Sequence, residues 1–219
     1  GSWFFLASLL TDVELQYNTE AASDHCGTCR ACLDACPTDA FVEPYVLDSR
    51  RCVSYLTIEL REAIPTEFRE GVGSWLLGCE ICQDVCPWNR KASESSEMAF
   101  LPGEGMNPVE LAELFELDEE SFRRRFRRTP LWRPRRRGIL RNAAIVLGNQ
   151  KDETAVPALV RGLTDAETLV RGACAWALGQ SGGEQALKAL DEQWAVEADA
   201  EVRHEIEAAL RLLGTEVRP

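Results

Sequence analysis

The sequence lacks any long apolar run and contains little histidine. None of its hydrophobic stretches approaches the roughly 20 residues that a membrane-spanning helix needs. The first residues are apolar, but no basic segment precedes them, so we expect no secretory signal peptide and a cytoplasmic protein. The exposed acidic residues have no acid–base partner nearby in the sequence, which leaves a hydrolase without support.

Acidic residues are also missing from one particular segment. The chain of 219 residues has a formal net charge of −12, yet residues 122–141 contain ten arginines and no acid, so the remainder carries −12 − 10 = −22. Such an uneven distribution predicts a localised anionic partner. The ten residues are Arg123, Arg124, Arg125, Arg127, Arg128, Arg133, Arg135, Arg136, Arg137 and Arg141.

The chain divides by composition into four parts. Residues 1–18 read as the end of a larger domain, with a buried strand or helix start at residues 4–6 and an exposed strand at residues 11–15. Residues 19–92 hold eight of the nine cysteines, and we expect short helices between turns there. Residues 93–134 form connecting helices with the basic stretch, including a helix capped by Asn107 and Pro108. Residues 135–219 contain repeats.

The repeats consist of three similar helical segments. RNAAIVLG (residues 141–148) aligns with RGACAWALG (171–179) and, more weakly, with RHEIEAALRLLG (203–214). Each copy ends in a glycine suited to a helix C-cap. Residues 155–160 and 184–190 provide the partner helices, so the pattern predicts a short α-solenoid of HEAT-like helical hairpins. The predicted fold class is mainly α (α+β overall), with a bacterial dicluster ferredoxin-like domain before the solenoid.

The cysteine spacing indicates two cubane [4Fe–4S] clusters. One run has the form C-x2-C-x2-C-x3-C-P from residue 26, and a second has C-x2-C-x3-C-P from residue 79. In dicluster ferredoxins the last cysteine of each run ligates the other cluster. That rule predicts one cluster on Cys26, Cys29, Cys32 and Cys86, and another on Cys36, Cys52, Cys79 and Cys82, with Cys52 replacing the missing first cysteine of the second run.

Two other uses of these cysteines fit the spacing poorly. Zinc is bound by four ligands, usually in separated pairs, and not by triplets followed by Cys-Pro. Disulfides between thiols three residues apart in a tight loop are rare, and we expect no secretion signal. Cys174, outside the runs, is expected to be a buried thiol.

Two segments resemble a known family. They are ACPTDAFVEPYVLDSRRCVSYLTIE (residues 35–59) and GCEICQDVCPWN (residues 78–89). With WFFL at residues 3–6 and the repeats behind them, these segments look like epoxyqueuosine reductase, which reduces epoxyqueuosine to queuosine at the wobble position of tRNA with cobalamin and two [4Fe–4S] clusters. Asp39 stands where the family usually has Gly, and Val53 where Ile is common.

The resemblance implies an electron-transfer and tRNA-facing portion of an oxidoreductase. Nothing here matches the family's N-terminal domain, which holds most of the cobalamin cradle and the acidic proton donor, so we expect this chain alone to be an incomplete enzyme. An external low-potential donor would reduce the clusters, which pass electrons to cobalamin. Ser54 and Tyr55 are candidates for the cobalamin face, and the ten arginines for tRNA. We expect a monomer.

Four alternatives remain open from the residues. The chain could be a stand-alone dicluster electron carrier whose repeats dock a protein, or a helical-repeat scaffold whose clusters serve structure only. The arginines could form a solvated helix face, and Tyr55 could simply pack beside a cluster. Trp132 is expected to fill the repeat core and not to stack on RNA bases.

Overall fold

The computed structural model describes residues 3, 6–20, 25–103 and 105–215. Residues 4 and 5 of the predicted buried strand lie outside the described residues. Residues 6–20 are exposed and irregular, so the exposed strand predicted for residues 11–15 is wrong. A strand requires a hydrogen-bonded neighbour, and this exposed segment pairs with none of the described residues.

The cysteine-rich part contains short helices, as the sequence predicts, and also one small hairpin that the sequence analysis did not predict. Its helices are α1 (Ala31–Asp34), α2 (Val53–Ile58), α3 (Thr66–Val72) and α4 (Ile81–Asp84). Strands β1 (Phe41–Glu43) and β2 (Val46–Leu47) pair antiparallel. Helices α1 and α4 pack against each other and occupy equivalent places in the two cysteine runs.

The last third is a stack of helical hairpins, which confirms the predicted HEAT-like solenoid. The inner helices α7 (Arg135–Gln150), α9 (Thr168–Ser181) and α11 (Ala200–Leu212) pack side by side in that order. Helices α8 (Val156–Gly162) and α10 (Glu184–Val196) complete the hairpins, close to the predicted positions. Cys174 is fully buried on α9, as predicted.

The repeated glycines do not all cap helices, which corrects one prediction. Gly148 and Gly179 lie inside α7 and α9. A Cβ on Gly148 would lie 2.9 Å from the Cα of Ala177, and one on Gly179 would lie 2.9 Å from the Cα of Ala209. The glycines therefore allow successive inner helices to approach closely; only Gly214, with φ of +78°, follows a helix end.

The connecting region shares its core with the repeats. Helices α5 (Leu111–Leu114) and α6 (Glu119–Phe126) bury Leu114, Phe122 and Phe126 in the cluster that includes the solenoid core. The predicted helix after Asn107 and Pro108 begins only at Leu111. In the part of the chain that the structure describes, no helix has the length and apolar character needed to cross a membrane.

A second core joins the cysteine-rich part to the solenoid. Val53 and Leu56 of α2 and Val72 of α3 pack with Ile145 and Val146 of α7. The cysteine-rich part therefore lies directly on the first inner helix of the repeats.

Candidate functional site

Seven of the eight cysteines between residues 26 and 86 gather into two neighbouring groups. The charges of Cys26 and Cys29 act on Cys32, and those of Cys36 and Cys52 act on Cys79, which places each set close together. Burial raises the pKa of the thiols of Cys32, Cys79 and Cys82, and the neighbouring cysteines raise it further. The charge of Cys32 also raises the pKa of Cys82, so the two groups are adjacent. Gathered thiols of this kind become thiolates most readily when a cation binds them.

The two runs fold alike, because the last cysteine of each run ends the same kind of hydrogen-bonded turn. The Cys36 amide donates to the Leu33 carbonyl at 3.4 Å, and the Cys86 amide donates to the Gln83 carbonyl at 3.2 Å. The Trp88 indole N–H donates to the carbonyl of His25 at 3.1 Å, which ties the end of the second run to the start of the first. This contact brings the segment of Cys86 to that of Cys26.

Hydrogen bonds position two further cysteines. The Ala40 amide donates to the Sγ of Cys36 at 3.3 Å. The fully buried Thr57 hydroxyl donates to the Val53 carbonyl at 2.8 Å and accepts from the amide of Gly78, the residue before Cys79. Only the Ala40 amide reaches a sulfur, and hydrogen bonds to the sulfurs of ligating cysteines tune the potential of an iron–sulfur cluster.

The spacing of the side chains is wider than a single metal ion requires. Among the residues that the structure describes, no three His, Cys, Asp or Glu side chains form a group that could hold one metal ion. Four irons and four sulfides separate the ligands of a cubane, so a cubane accepts cysteines that stand farther apart. Cysteine sulfurs bind both zinc and iron–sulfur clusters, so the spacing of the cysteines, and not the type of donor, favours clusters.

Ser54 and Tyr55 follow Cys52 on α2 and are half-buried. Tyr55 packs against the second core, together with Cys79. Tyr55 therefore packs near Cys79 and keeps part of its side chain accessible.

The structure corrects the assignment of Arg141, one of the ten predicted tRNA-binding arginines. Its side chain is fully buried and donates to the carbonyls of Leu56 at 2.7 Å, Leu60 at 2.9 Å and Glu62 at 2.6 Å. Burial lowers the pKa of the guanidinium to about 10, so it remains charged near neutral pH. Because its donors are occupied inside the protein, Arg141 joins α7 to the cysteine-rich part and is not available to RNA.

Arg136 is corrected for the same reason. Its guanidinium is almost completely covered, forms a bidentate ion pair with Asp165 and donates to the Leu117 carbonyl at 2.6 Å. It therefore joins α7 to the segments around it.

The other eight arginines of the stretch are exposed. Five of them have contacts within the chain, namely Arg124 with Glu120, Arg125 with the Gly105 carbonyl, Arg133 with Glu59, Arg135 over the Trp132 ring, and Arg137 with Glu167. Arg123, Arg127 and Arg128 make no side-chain hydrogen bond or ion pair with any residue that the structure describes. Trp132 is partly buried against the core, as predicted.

The repeat alignment contained a signal for the structural role of Arg141. Its counterpart Arg171 donates to the carbonyls of Asp165 and Ala166, and Arg203 donates to those of Trp194 and Glu197. An arginine at this repeat position binds main-chain carbonyls in all three copies. The alignment therefore separates Arg141 from the surface arginines that precede it.

Comparison with known families agrees with this architecture. A family described as a 4Fe-4S double cluster binding domain matches residues 25–89, and a HEAT repeat family matches residues 136–211. The chain is 46% identical to epoxyqueuosine reductase from Pseudomonas aeruginosa over 183 residues, or 83% of this chain and 51% of that protein. It is 42% identical to the Escherichia coli epoxyqueuosine reductase over 181 residues, or 82% of this chain and 47% of that protein.

Solved structures give the same result. A crystal structure of epoxyqueuosine reductase with an epoxyqueuosine-modified tRNA-Tyr stem loop matches with a TM-score of 0.82 and 35% identity, over 89% of this chain and 52% of that one. Over most of its length, this chain is homologous to epoxyqueuosine reductases. The chain spans about half the length of these relatives. The epoxyqueuosine reductase of Streptococcus thermophilus also matches, with a TM-score of 0.75 and 27% identity, over 90% of this chain and 53% of that one.

Proposed function

We propose that this chain is the iron–sulfur and tRNA-facing portion of an enzyme that reduces epoxyqueuosine to queuosine in tRNA. The observation that carries the proposal is the adjacency of two cysteine groups. It is joined by the exposed arginines of α6 and the segment after it, three of which have no ion pair or side-chain hydrogen bond with the described residues. The homology to epoxyqueuosine reductases supports the same reaction.

The proposed ligands follow the two cysteine groups. One [4Fe–4S] cluster binds Cys26, Cys29, Cys32 and Cys86, and the other binds Cys36, Cys52, Cys79 and Cys82. The Trp88–His25 hydrogen bond supports the pairing of Cys86 with the first group. Since the groups are adjacent, electrons from an external low-potential donor can cross between the clusters.

Cobalamin is the proposed destination of those electrons, and when bound it supplies the cobalt chemistry that removes the epoxide oxygen. In this chain Ser54 and Tyr55, which follow a ligand cysteine on α2, are the residues we assign to the cobalamin face. We place the proton donor and most of the cobalamin cradle outside this chain. We further propose a cytoplasmic monomer.

The proposed RNA surface consists of the exposed arginines of α6 and of the segment that follows it. Arg123, Arg127 and Arg128 are its centre, because no contact with the described residues occupies their guanidinium groups. Arg124, Arg125, Arg133, Arg135 and Arg137 flank them. Guanidinium groups bind phosphates bidentately, which suits the backbone of an anticodon stem loop.

The first test is the metal content of anaerobically purified protein. Two cubanes predict about eight irons and as much acid-labile sulfide per chain, with visible absorption that bleaches on reduction by dithionite. Zinc in place of iron would overturn the ligand assignment.

The second test is tRNA affinity as a function of salt. The logarithm of the tRNA association constant falls linearly with the logarithm of the salt concentration. Replacing Arg123, Arg127 and Arg128 by Gln is expected to make this negative slope shallower by about 2, at about 0.7 per phosphate contact on a single-stranded loop. The control Arg211→Gln, an exposed arginine paired with Glu207 on the last helix, should leave the slope unchanged. Equal slopes for both variants would contradict the RNA surface and favour the electron carrier.

A further inference from the structure

Arg51 contains an unusual buried donor beside one of the proposed cluster ligands. Its Nε is inaccessible to solvent and has no hydrogen-bond partner. Among the residues that the structure describes, it is the only buried side-chain nitrogen or oxygen in this condition. An unsatisfied buried donor is costly, and one that carries charge is more so, which indicates that a group outside the polypeptide accepts its hydrogen bond.

The surroundings of Arg51 place it on the side of the second cysteine group. It immediately precedes Cys52, and its guanidinium carbon lies 5.9 Å from the centre of the Phe68 ring. Phe68 packs against the same core as Cys79, a second proposed ligand of that cluster. Arg51 is therefore joined through the backbone to Cys52, and its guanidinium lies near Phe68 of α3, which packs against the same core as Cys79.

Asp48, three residues before Arg51, does not supply the missing hydrogen-bond acceptor. Asp48 forms its bidentate contact with the neighbouring Arg50, at 2.9 and 2.8 Å. Arg50 is exposed, whereas the Nε of Arg51 is buried. The two adjacent arginines therefore differ. Arg50 is paired with a carboxylate of the protein, whereas the Nε of Arg51 has no acceptor among the described residues.

We propose that the Nε–H of Arg51 donates to a sulfur atom of the cluster held by Cys36, Cys52, Cys79 and Cys82, and that its charge raises the reduction potential of that cluster. Reduction adds one negative charge to the cluster, so a cation in hydrogen-bond contact stabilises the reduced form more than the oxidised form. Arg51 is a positioning and tuning residue and not a catalytic one. The inference rests on the proposed ligand assignment.

The test is a redox titration of the cluster-loaded protein, followed by electron paramagnetic resonance. Arg51→Met should shift the reduction equilibrium of one cluster by about tenfold or more toward the oxidised form, or about 59 mV per tenfold for one electron. The other cluster should keep its potential. Arg51→Lys, which keeps the charge but moves the donor, should give a smaller shift, and it also serves if the Met variant does not load.

The matched control is Arg50→Met, which removes an equal charge one residue away on the exposed side. It should change neither potential by more than a small fraction of the Arg51 effect. If Arg51→Met shifts the potential no more than Arg50→Met does, or shifts both clusters equally, the inference is overturned. Neither result depends on tRNA or turnover, so failure here is distinct from failure of the proposed reaction.

Discussion

Replacing Arg141 by Met should destabilise the protein without weakening the RNA surface. The side chain lies at the junction of α7 with the cysteine-rich part, where it binds three carbonyls. Met fills a comparable length but donates no hydrogen bond. The matched variant is Arg127→Met, which removes an exposed arginine of the same stretch that makes no side-chain hydrogen bond or ion pair with the described residues.

The expected loss follows from the acceptors that Arg141→Met would leave unpaired, which are three main-chain carbonyls and the buried Oδ1 of Asn142. The Leu56 carbonyl is in the buried part of the junction and should cost about 2 kcal/mol, and the half-buried Leu60 and Glu62 carbonyls about 1 kcal/mol each. Met carries no charge, so the variant avoids the free-energy cost of burying the Arg141 guanidinium, and this gain offsets part of the loss. We expect a net loss of about 3 kcal/mol, or a fall in Tm of about 6–12 °C.

The assay is urea denaturation of both cluster-loaded variants, followed by tRNA binding under conditions where each is folded. Arg127→Met should change stability by less than about 0.5 kcal/mol and lower the salt slope by about 0.7. A loss below about 1 kcal/mol for Arg141→Met would refute the carbonyl argument. Reduced RNA affinity of folded Arg141→Met protein would also refute it.

Three further predictions test the repeats and the ligands. Gly179→Ala should destabilise the protein by about 1–3 kcal/mol through overpacking, whereas Gly172→Ala on the same helix, where a Cβ meets only a side chain at 3.7 Å, should be neutral or stabilising by up to about 1 kcal/mol; equal denaturation midpoints would contradict this. Glu197→Gln should cost about 2–3 kcal/mol near neutral pH. The Arg171 guanidinium lowers the pKa of Glu197 to about 2, so in urea titrations the difference from wild type should vanish as pH falls from 4.5 to about 2, and a pH-independent difference would argue against the ion pair. Cys52→Ala should remove about four of the irons per chain, and Cys174→Ala none, by iron analysis; equal iron contents would count against Cys52 as a ligand.

Local pattern was enough for much of the fold. The three repeat segments predicted the inner helices, and the spacing of the cysteines predicted a double cluster domain, because both signals are periodic and lie within short stretches. The position of the helix after Pro108 was predicted less well, since turn residues show that a helix follows without showing at which residue it begins.

The glycines show where pattern alone was misleading. A glycine after an apolar helical segment predicts a C-cap, yet Gly148 and Gly179 lie within helices. The atoms that require glycine there belong to the next inner helix, roughly 30 residues later in the chain. No local rule contains that contact.

The sequence by itself determined the kind of metal chemistry and the repeat architecture, because cysteine spacing and helical periodicity are properties of neighbouring residues. Only the tertiary structure decided which arginines face outward. Arg127 and Arg141 belong to one basic stretch and have the same chemistry, but one is exposed and the other binds carbonyls more than 75 residues earlier in the chain. The burial of a charge depends on the partners that folding brings to it, and those partners are distant in sequence.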